Sequence, residues 1–307
     1  MADGTTNDSA RELYEGLIKH KLIVPVGVPG AFGRGAVFED VLARFDGLLT
    51  RLIAPDGAER MLFPPILDRQ VFEKSGYLDS FPQLAGSVFS FYGDEREHAA
   101  LRSRIHEGQK WDDLQKMTEV VLSPAACYPV YPCLAGEVLP ENGRLVEMFN
   151  WVFRHEPSLD PTRMQAFRVR EVVRVATPEI VVAWRDMWLE RGVELLRSLG
   201  LDARAEVAND PFFGRAGRML ADNQRKQELK FEVVIPVVSE EKPTAVCSFN
   251  YHQTHFGESF GIRTKGGEVA HSACLGFGME RVVMALFKTH GFEVETWPED
   301  LKKRLWS

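Results

Sequence analysis

The sequence predicts an α+β chain built around an antiparallel hairpin, and three observations carry this. Residues 149–153 and 167–175 are rich in aromatic and β-branched side chains. Between them Pro157-Ser-Leu-Asp-Pro161 has turn chemistry, so the stretch reads as strand, turn, strand. Two other stretches place apolar residues at helical spacing: 36–53, through Val37, Val41, Leu42, Phe45, Leu48, Leu49 and Leu52, and 180–199, through Trp184, Met187, Trp188 and Leu195. Lys230–Pro236 and Thr244–Asn250 are further strand candidates, and an apolar helix follows at 282–287.

In chain order, residues 1 to about 9 are polar and are expected to be disordered, and Arg11 to Lys21 has short helical periodicity. The glycine-rich stretch Gly27–Gly35 lacks both Walker and dinucleotide spacing and reads as a connector. After the helix at 36–53 comes Met61-Leu-Phe-Pro64-Pro65-Ile-Leu67, an apolar strand interrupted by two prolines. Proline cannot donate to a ladder, so this strand belongs at a sheet edge or a subunit boundary. Residues 120–130 read as a short strand entering a turn. Thr177-Pro-Glu179 caps the helix at 180–199, and Asp210-Pro opens a second helical stretch reaching about Leu229. His271–Leu275 leads into Gly276-Phe-Gly278-Met-Glu280-Arg281, where glycines at a strand-to-helix junction permit close approach of a ligand and Arg281 can meet an anion beside the helix N-terminus.

The 307 residues are 45% hydrophobic and 26% charged, an ordinary globular composition. No apolar run approaches the roughly 20 residues that span a bilayer, and the N-terminus lacks the regions of a signal peptide, so the expected location is cytoplasmic, away from membranes. Four cysteines, at 127, 133, 247 and 274, are too few and scattered for a disulfide framework, which leaves reduced thiols, some of them candidate metal ligands. With a formal net charge of −7 and no long basic stripe, the chain is a poor candidate for gripping a whole tRNA.

The hairpin concentrates the most chemistry. Arg163, Phe167 and Glu171 are spaced by four and are expected on one strand face, as are Arg154 and Glu156 across the turn. Two guanidiniums, a flat ring and carboxylates suit a nucleoside triphosphate, since arginine grips phosphate in a planar fork and an aromatic ring stacks on a purine. A salt-bridged surface hairpin is the plainer alternative. Arg154-x-Glu156 followed by Arg163-x-x-x-Phe167-x-x-x-Glu171 closely resembles motif 2 of the class II aminoacyl-tRNA synthetases. The helix, strand and prolines at 36–67 resemble motif 1, which builds the dimer interface in that family. Ser75–Pro82 strengthens the likeness to its seryl members, and Gly276-x-Gly278-x-Glu280-Arg281 resembles motif 3.

The resemblance covers about residues 36–290 and implies the class II catalytic fold, an antiparallel sheet flanked by helices. On this reading 1–35 is an N-terminal extension and 36–307 a catalytic domain with an inserted helical segment near 210–229. It implies ATP-binding roles for Arg154, Glu156, Arg163, Met164, Phe167, Lys230, Ala245, Val246, Cys247, Ser248 and Arg281, with Mg2+ accompanying ATP. Cys127, Glu171 and Cys274 fall where threonyl and atypical seryl synthetases hold Zn2+, a three-ligand set that leaves a position open for substrate. The plain alternative is two buried thiols and a paired carboxylate. Cys133 and Cys247 are assigned no chemistry, although the backbone around Cys247 is expected in the ATP pocket.

Too few residues flank the motifs to hold a tRNA-binding domain, so none is expected. The remaining set resembles the amino acid:[carrier protein] ligases, relatives of atypical seryl synthetases that activate glycine or alanine and load it on the phosphopantetheine of a carrier protein. The resemblance therefore implies ATP, a small amino acid and a holo-carrier protein as partners, a homodimer, and an aminoacyl adenylate as intermediate. Arg215, Arg218 and Arg225 are separated by three and seven residues and fall along one helix face, a candidate docking surface for an acidic carrier. Two alternatives stand beside this: a trimmed seryl-like synthetase aminoacylating tRNA in trans, and a non-catalytic synthetase paralogue acting as a binding module.

Overall fold

The computed structural model describes residues 4–306. Helix α1 (Gly4–Lys19) leads into a small hairpin, β1 (Ile23–Pro25) with β2 (Phe32–Arg34), and then into α2 (Ala36–Ile53). The disorder expected to about residue 9 is not found from Gly4 onward. Residues 1–3 lie outside the described residues, and α1 already runs from Gly4, with Leu13 and Leu17 buried. The glycine-rich connector is likewise more ordered than expected, because its second half pairs as β2 with β1. Helix α2 matches its expected bounds, and its stripe of Phe38, Val41, Leu42, Phe45, Leu49 and Ile53 is buried. Each such side chain contributes roughly 1.5–3 kcal/mol by leaving water.

The expected strand at 61–67 is two strands in two sheets. The prolines split it into β3 (Glu59–Met61) and β4 (Ile66–Asp68), since neither Pro64 nor Pro65 can donate to a ladder. Each piece is an edge strand, as the prolines demand. Then come α3 (Arg69–Lys74), α4 (Tyr77–Ser80), β5 (Ser87–Phe91), α5 (Glu95–His106), β6 (Gln115–Leu122) and α6 (Val130–Cys133). Strands β4, β6 and β5 form a three-stranded antiparallel sheet.

The central hairpin is β7 (Arg144–Phe153) with β8 (Ala166–Ala176), antiparallel throughout. Helix α7 (Pro178–Ser198), β9 (Arg204–Val207), α8 (Gly214–Lys226), β10 (Lys230–Ile235) and β11 (Thr244–Gln253) follow, then α9 (His255–Phe260), β12 (His271–Gly278), α10 (Met279–His290) and α11 (Glu299–Trp306). The helix expected to open at Asp210-Pro starts four residues later, at Gly214.

Seven strands form the main sheet in the order β3-β7-β8-β12-β11-β10-β9, antiparallel except for β3 beside β7. Strand β12, last in sequence, sits between β8 and β11, and this brings the third motif against the second. Helices α2 and α10 cover one face of β8: Phe45 packs on Phe277 and Phe38 on Phe287, with ring centroids 6.0 Å apart in both pairs. Leu22, Ile23 and Phe32 join the same core as the sheet.

Candidate active site

Strand alternation decides which side chains reach the site. On β8, Phe167, Val169 and Glu171 line a cavity of about 430 Å3, within the ordinary size range of ligand pockets. Arg168 and Arg170 point to the opposite face and pair with α2, Arg168 with Glu39 and Arg170 with Asp46 at 3.0 Å. On β12 the same alternation presents Cys274, Gly276 and Gly278 to the cavity. The two glycines keep the floor low, for a Cβ at Gly276 would lie 3.2 Å from Glu171 Cγ. Ala245, Val246, Cys247 and Ser248 of β11 and Lys230 of β10 complete the floor. The segment around Tyr77 and Phe81 and the segment from Asp210 to Gln224 form the walls above it.

Two guanidiniums approach the Phe167 ring, with Arg154 Cζ 5.6 Å and Arg281 Cζ 6.0 Å from its centroid. Arg281 Nε donates to Thr162 O at 2.8 Å and its Nη1 to Ala245 O at 2.9 Å, while Arg154 Nε donates to Pro124 O at 3.2 Å. Backbone carbonyls thus fix both side chains, and among the described residues neither forms a salt bridge. Burial and the facing Arg154 both work against the charge on Arg281, lowering its pKa. The same cavity holds the Glu171, Asp210 and Glu232 carboxylates, but among the described residues none of them pairs directly with either guanidinium, which leaves both with donors for an anionic ligand.

Three expected contacts are absent from the cavity. The strand face does not extend to Arg163, Arg154 or Glu156, because β7 ends at Phe153 and β8 starts at Ala166. Pro157 and Pro161 stop the ladder, whose last rung is Arg154 N to Gln165 O at 2.9 Å. Arg154 still turns into the cavity, whereas Glu156 stays outside its lining and Arg163 is exposed in the turn. Met164 is buried behind the hairpin, its sulfur 3.7 Å from Arg34 Nη2.

At the other end of the cavity Cys127, Glu171 and Cys274 are buried together. The neighbouring Cys274 sulfur, then burial and the Glu171 charge, raise the Cys127 thiol, while Cys127 and His252 lower Cys274. Burial, then the Cys274 sulfur, pushes Glu171 up to about 7. Glu171 Oε2 is buried with no hydrogen-bond partner. Two sulfurs and an orphaned carboxylate oxygen are donors of the chemistry that zinc takes. The expected ligand geometry is not preformed, however: among the described residues no group of three or more His, Cys, Asp or Glu is placed to hold a metal ion. Cys133 is exposed and outside the cavity.

Several cavity residues carried no signal strong enough to single them out. Glu232, two positions after Lys230 on β10, was reachable from strand alternation, as was His252, two after Asn250 on β11. His252 Nε2 lies 3.6 Å from Cys274 Sγ. Asp210 and Gln224 gave no such pattern. Lys230 Nζ is held by Asp210 Oδ1 and, at 3.1 Å, by Glu232 Oε1. Burial acts to raise the Asp210 carboxyl, but Lys230, Gln224 and Arg154 together bring it below the ordinary carboxylate value. Arg215, Arg218 and Arg225 are exposed on α8 and outside the cavity lining.

Among solved structures, the seryl-tRNA synthetase of M. kandleri, in complex with A. aeolicus tRNASec, matches 95% of this chain and 60% of its own with a TM-score of 0.82 and 25% identity. The fold is that of a class II synthetase core. No model of a protein family matches the chain. Amino acid–[acyl-carrier-protein] ligases 1 and 2 of Bradyrhizobium diazoefficiens are 43% identical over 96% of the chain and 45% identical over 89%, spanning 91% and 82% of those proteins. The chain belongs to the amino acid–[acyl-carrier-protein] ligase family. The type-2 serine–tRNA ligase of Methanopyrus kandleri is 29% identical, and the chain spans about half the length of that relative.

Proposed function

We propose that this ligase activates a small amino acid with ATP as its adenylate and transfers it to the phosphopantetheine thiol of a carrier protein. The observation that carries the reading is the pair of guanidiniums, Arg154 and Arg281, that approach the Phe167 ring in the cavity. The names of the relatives at 43% and 45% identity supply the carrier protein as acceptor.

In the first step the amino-acid carboxylate attacks the α-phosphorus in line, a bond to oxygen forms, and pyrophosphate leaves. Arg154 and Arg281 hold the charge that builds on the phosphate oxygens, and they need no reorganisation because backbone carbonyls have already placed them. Phe167 offers adenine a flat surface, and the low floor at Gly276 and Gly278 gives it room. In the second step the carrier thiol attacks the adenylate carbonyl, forming the thioester and releasing AMP. No nucleophile on the protein is required. Mg2+ enters with ATP. Cys127, Glu171 and Cys274 would hold Zn2+, which when bound supplies a Lewis acid for the substrate amine. Glycine or alanine is the proposed substrate, on the family resemblance. A homodimer is proposed too, on exposed Leu62 and Ile66 flanking Pro64 and Pro65, and a cytoplasmic location on the sequence expectation.

Amino-acid-dependent exchange of pyrophosphate into ATP tests the first step, and absence of exchange would leave only a binding module. Labelled amino acid offered to holo-carrier and to tRNA tests the second, and loading of tRNA alone would return the chain to the serine–tRNA ligases. A preference for serine over glycine and alanine would remove the small-substrate reading, although a single methylene or hydroxyl is worth only about 1–3 kcal/mol of discrimination.

A further inference from the structure

Helix α8 leans over the cavity with Leu220, Asn223 and Gln224 in its wall, yet Gly217 is its sole buried residue. Most of its ties to the body lie in the residues that flank it, where Gln83 donates to Pro211 O and Arg185 to Glu228 O, each at 2.8 Å. Phe81 and Phe212 stack at 5.0 Å just before it, Phe213 N donates to Ser80 O at 2.9 Å, and Gln253 Nε2 donates to Gln227 Oε1 at 3.1 Å just after it. Within the helix the strong tie is Gln224. Its Nε2 donates to Asp210 Oδ2 at 2.8 Å, and its Oε1 accepts from Asp210 N at 2.7 Å.

The other oxygen of Asp210 holds Lys230, at the edge of the same cavity that contains Arg154 and Arg281. One carboxylate therefore does two things at once. It neutralises a cation of the nucleotide site, and it anchors the helix that overhangs that site. An incoming triphosphate brings several anionic oxygens to Lys230 and Arg154. It competes with Asp210 for the lysine and repels the carboxylate at close range in a poorly screened site.

We propose that Asp210 holds Lys230 in the place that nucleotide phosphate would take, and that its pairing with Gln224 is a latch which nucleotide binding releases, freeing α8. The inference rests on the ATP reading above and adds an order to the reaction: the helix loosens after the nucleotide has entered. A ligand shifts such an equilibrium only by its differential affinity for the two states, and repulsion between phosphate and Asp210 in the latched state supplies that difference.

Hydrogen exchange on the full chain, read by mass spectrometry over 214–226, tests it, with calorimetry on the same samples to show whether α,β-methylene-ATP with Mg2+ binds. Saturating analogue should speed exchange across α8 by about tenfold or more. Gln224→Ala should exchange fast with and without the analogue, because the latch is already broken. Bound analogue with unchanged or slower exchange in α8 would overturn the latch and leave the ATP reading standing, as would a Gln224→Ala variant that still responds like the parent. An analogue that fails to bind would overturn both.

Discussion

Arg168 grips Glu280 twice, through its backbone N at 2.8 Å and its Nε at 2.9 Å, directly behind the two residues that face the cavity beside them, Phe167 and Arg281. The Glu280 carboxylate is fully buried and also draws in Arg34 at 3.4 Å. Removing one partner of such a pair leaves an uncompensated buried charge, at a cost of about 3–5 kcal/mol. Glu280→Leu should therefore lose stability of that order in urea unfolding, and an unchanged midpoint would mean the pair is not structural.

The guanidinium of Arg168 continues to Glu39 on α2, with Nη1 and Nη2 each 2.6 Å from a carboxylate oxygen. These hydrogen bonds, opposed by partial burial and assisted by the Arg168 and Arg34 charges, hold the Glu39 carboxyl below its ordinary value. A carboxyl lowered on folding adds stability above its unfolded pKa, about 4.3, and that stability is lost as pH falls through the folded pKa. Glu39→Gln should thus melt lower than the parent at pH 7, by no more than about 1 kcal/mol because Glu39 is partly exposed, and the gap should close in acid. A gap that persists unchanged to pH 3 would contradict this.

Arg154→Ala and Arg281→Ala should each reduce adenylate formation by on the order of 10²-fold or more, the usual loss when an oriented donor to a transition state is deleted. Neither variant should lose much stability, since each removes one of two neighbouring like charges, and neither forms a salt bridge among the described residues. Near-normal pyrophosphate exchange in either would sink the assignment.

Protein purified without chelator should carry about one zinc per chain. Cys127→Ser should lose the metal together with amino-acid activation, whereas Cys133→Ser, outside the cavity, should keep both. Elemental analysis of the two variants decides this, and retention of metal by the first would show that Cys127 is only a buried thiol.

Reversing Arg215 and Arg218 to glutamate should slow loading of the carrier and weaken its salt dependence while pyrophosphate exchange stays intact, because both side chains are exposed and away from the cavity. Unchanged loading in the double variant would place the docking surface elsewhere.

The features legible in the sequence are those that neighbours along the chain decide. Apolar spacing determined α2 from Ala36 to Ile53, and strand alternation determined that Phe167 and Glu171 share a face. The two prolines determined that the strand near 61–67 lies at an edge. Only the tertiary structure decided what depends on which strands become adjacent. Inserting β12 between β8 and β11 set Arg281 beside Phe167 and Cys274 near Glu171 and His252. The end of the β7–β8 ladder left Arg163 and Met164 outside the cavity despite their place in the motif. The Asp210–Gln224 pair depends on how an almost wholly exposed helix is turned over the sheet. No periodicity encodes that, because the helix is placed by contacts at its ends and by the Gln224 hydrogen bonds to Asp210 rather than by a buried apolar face.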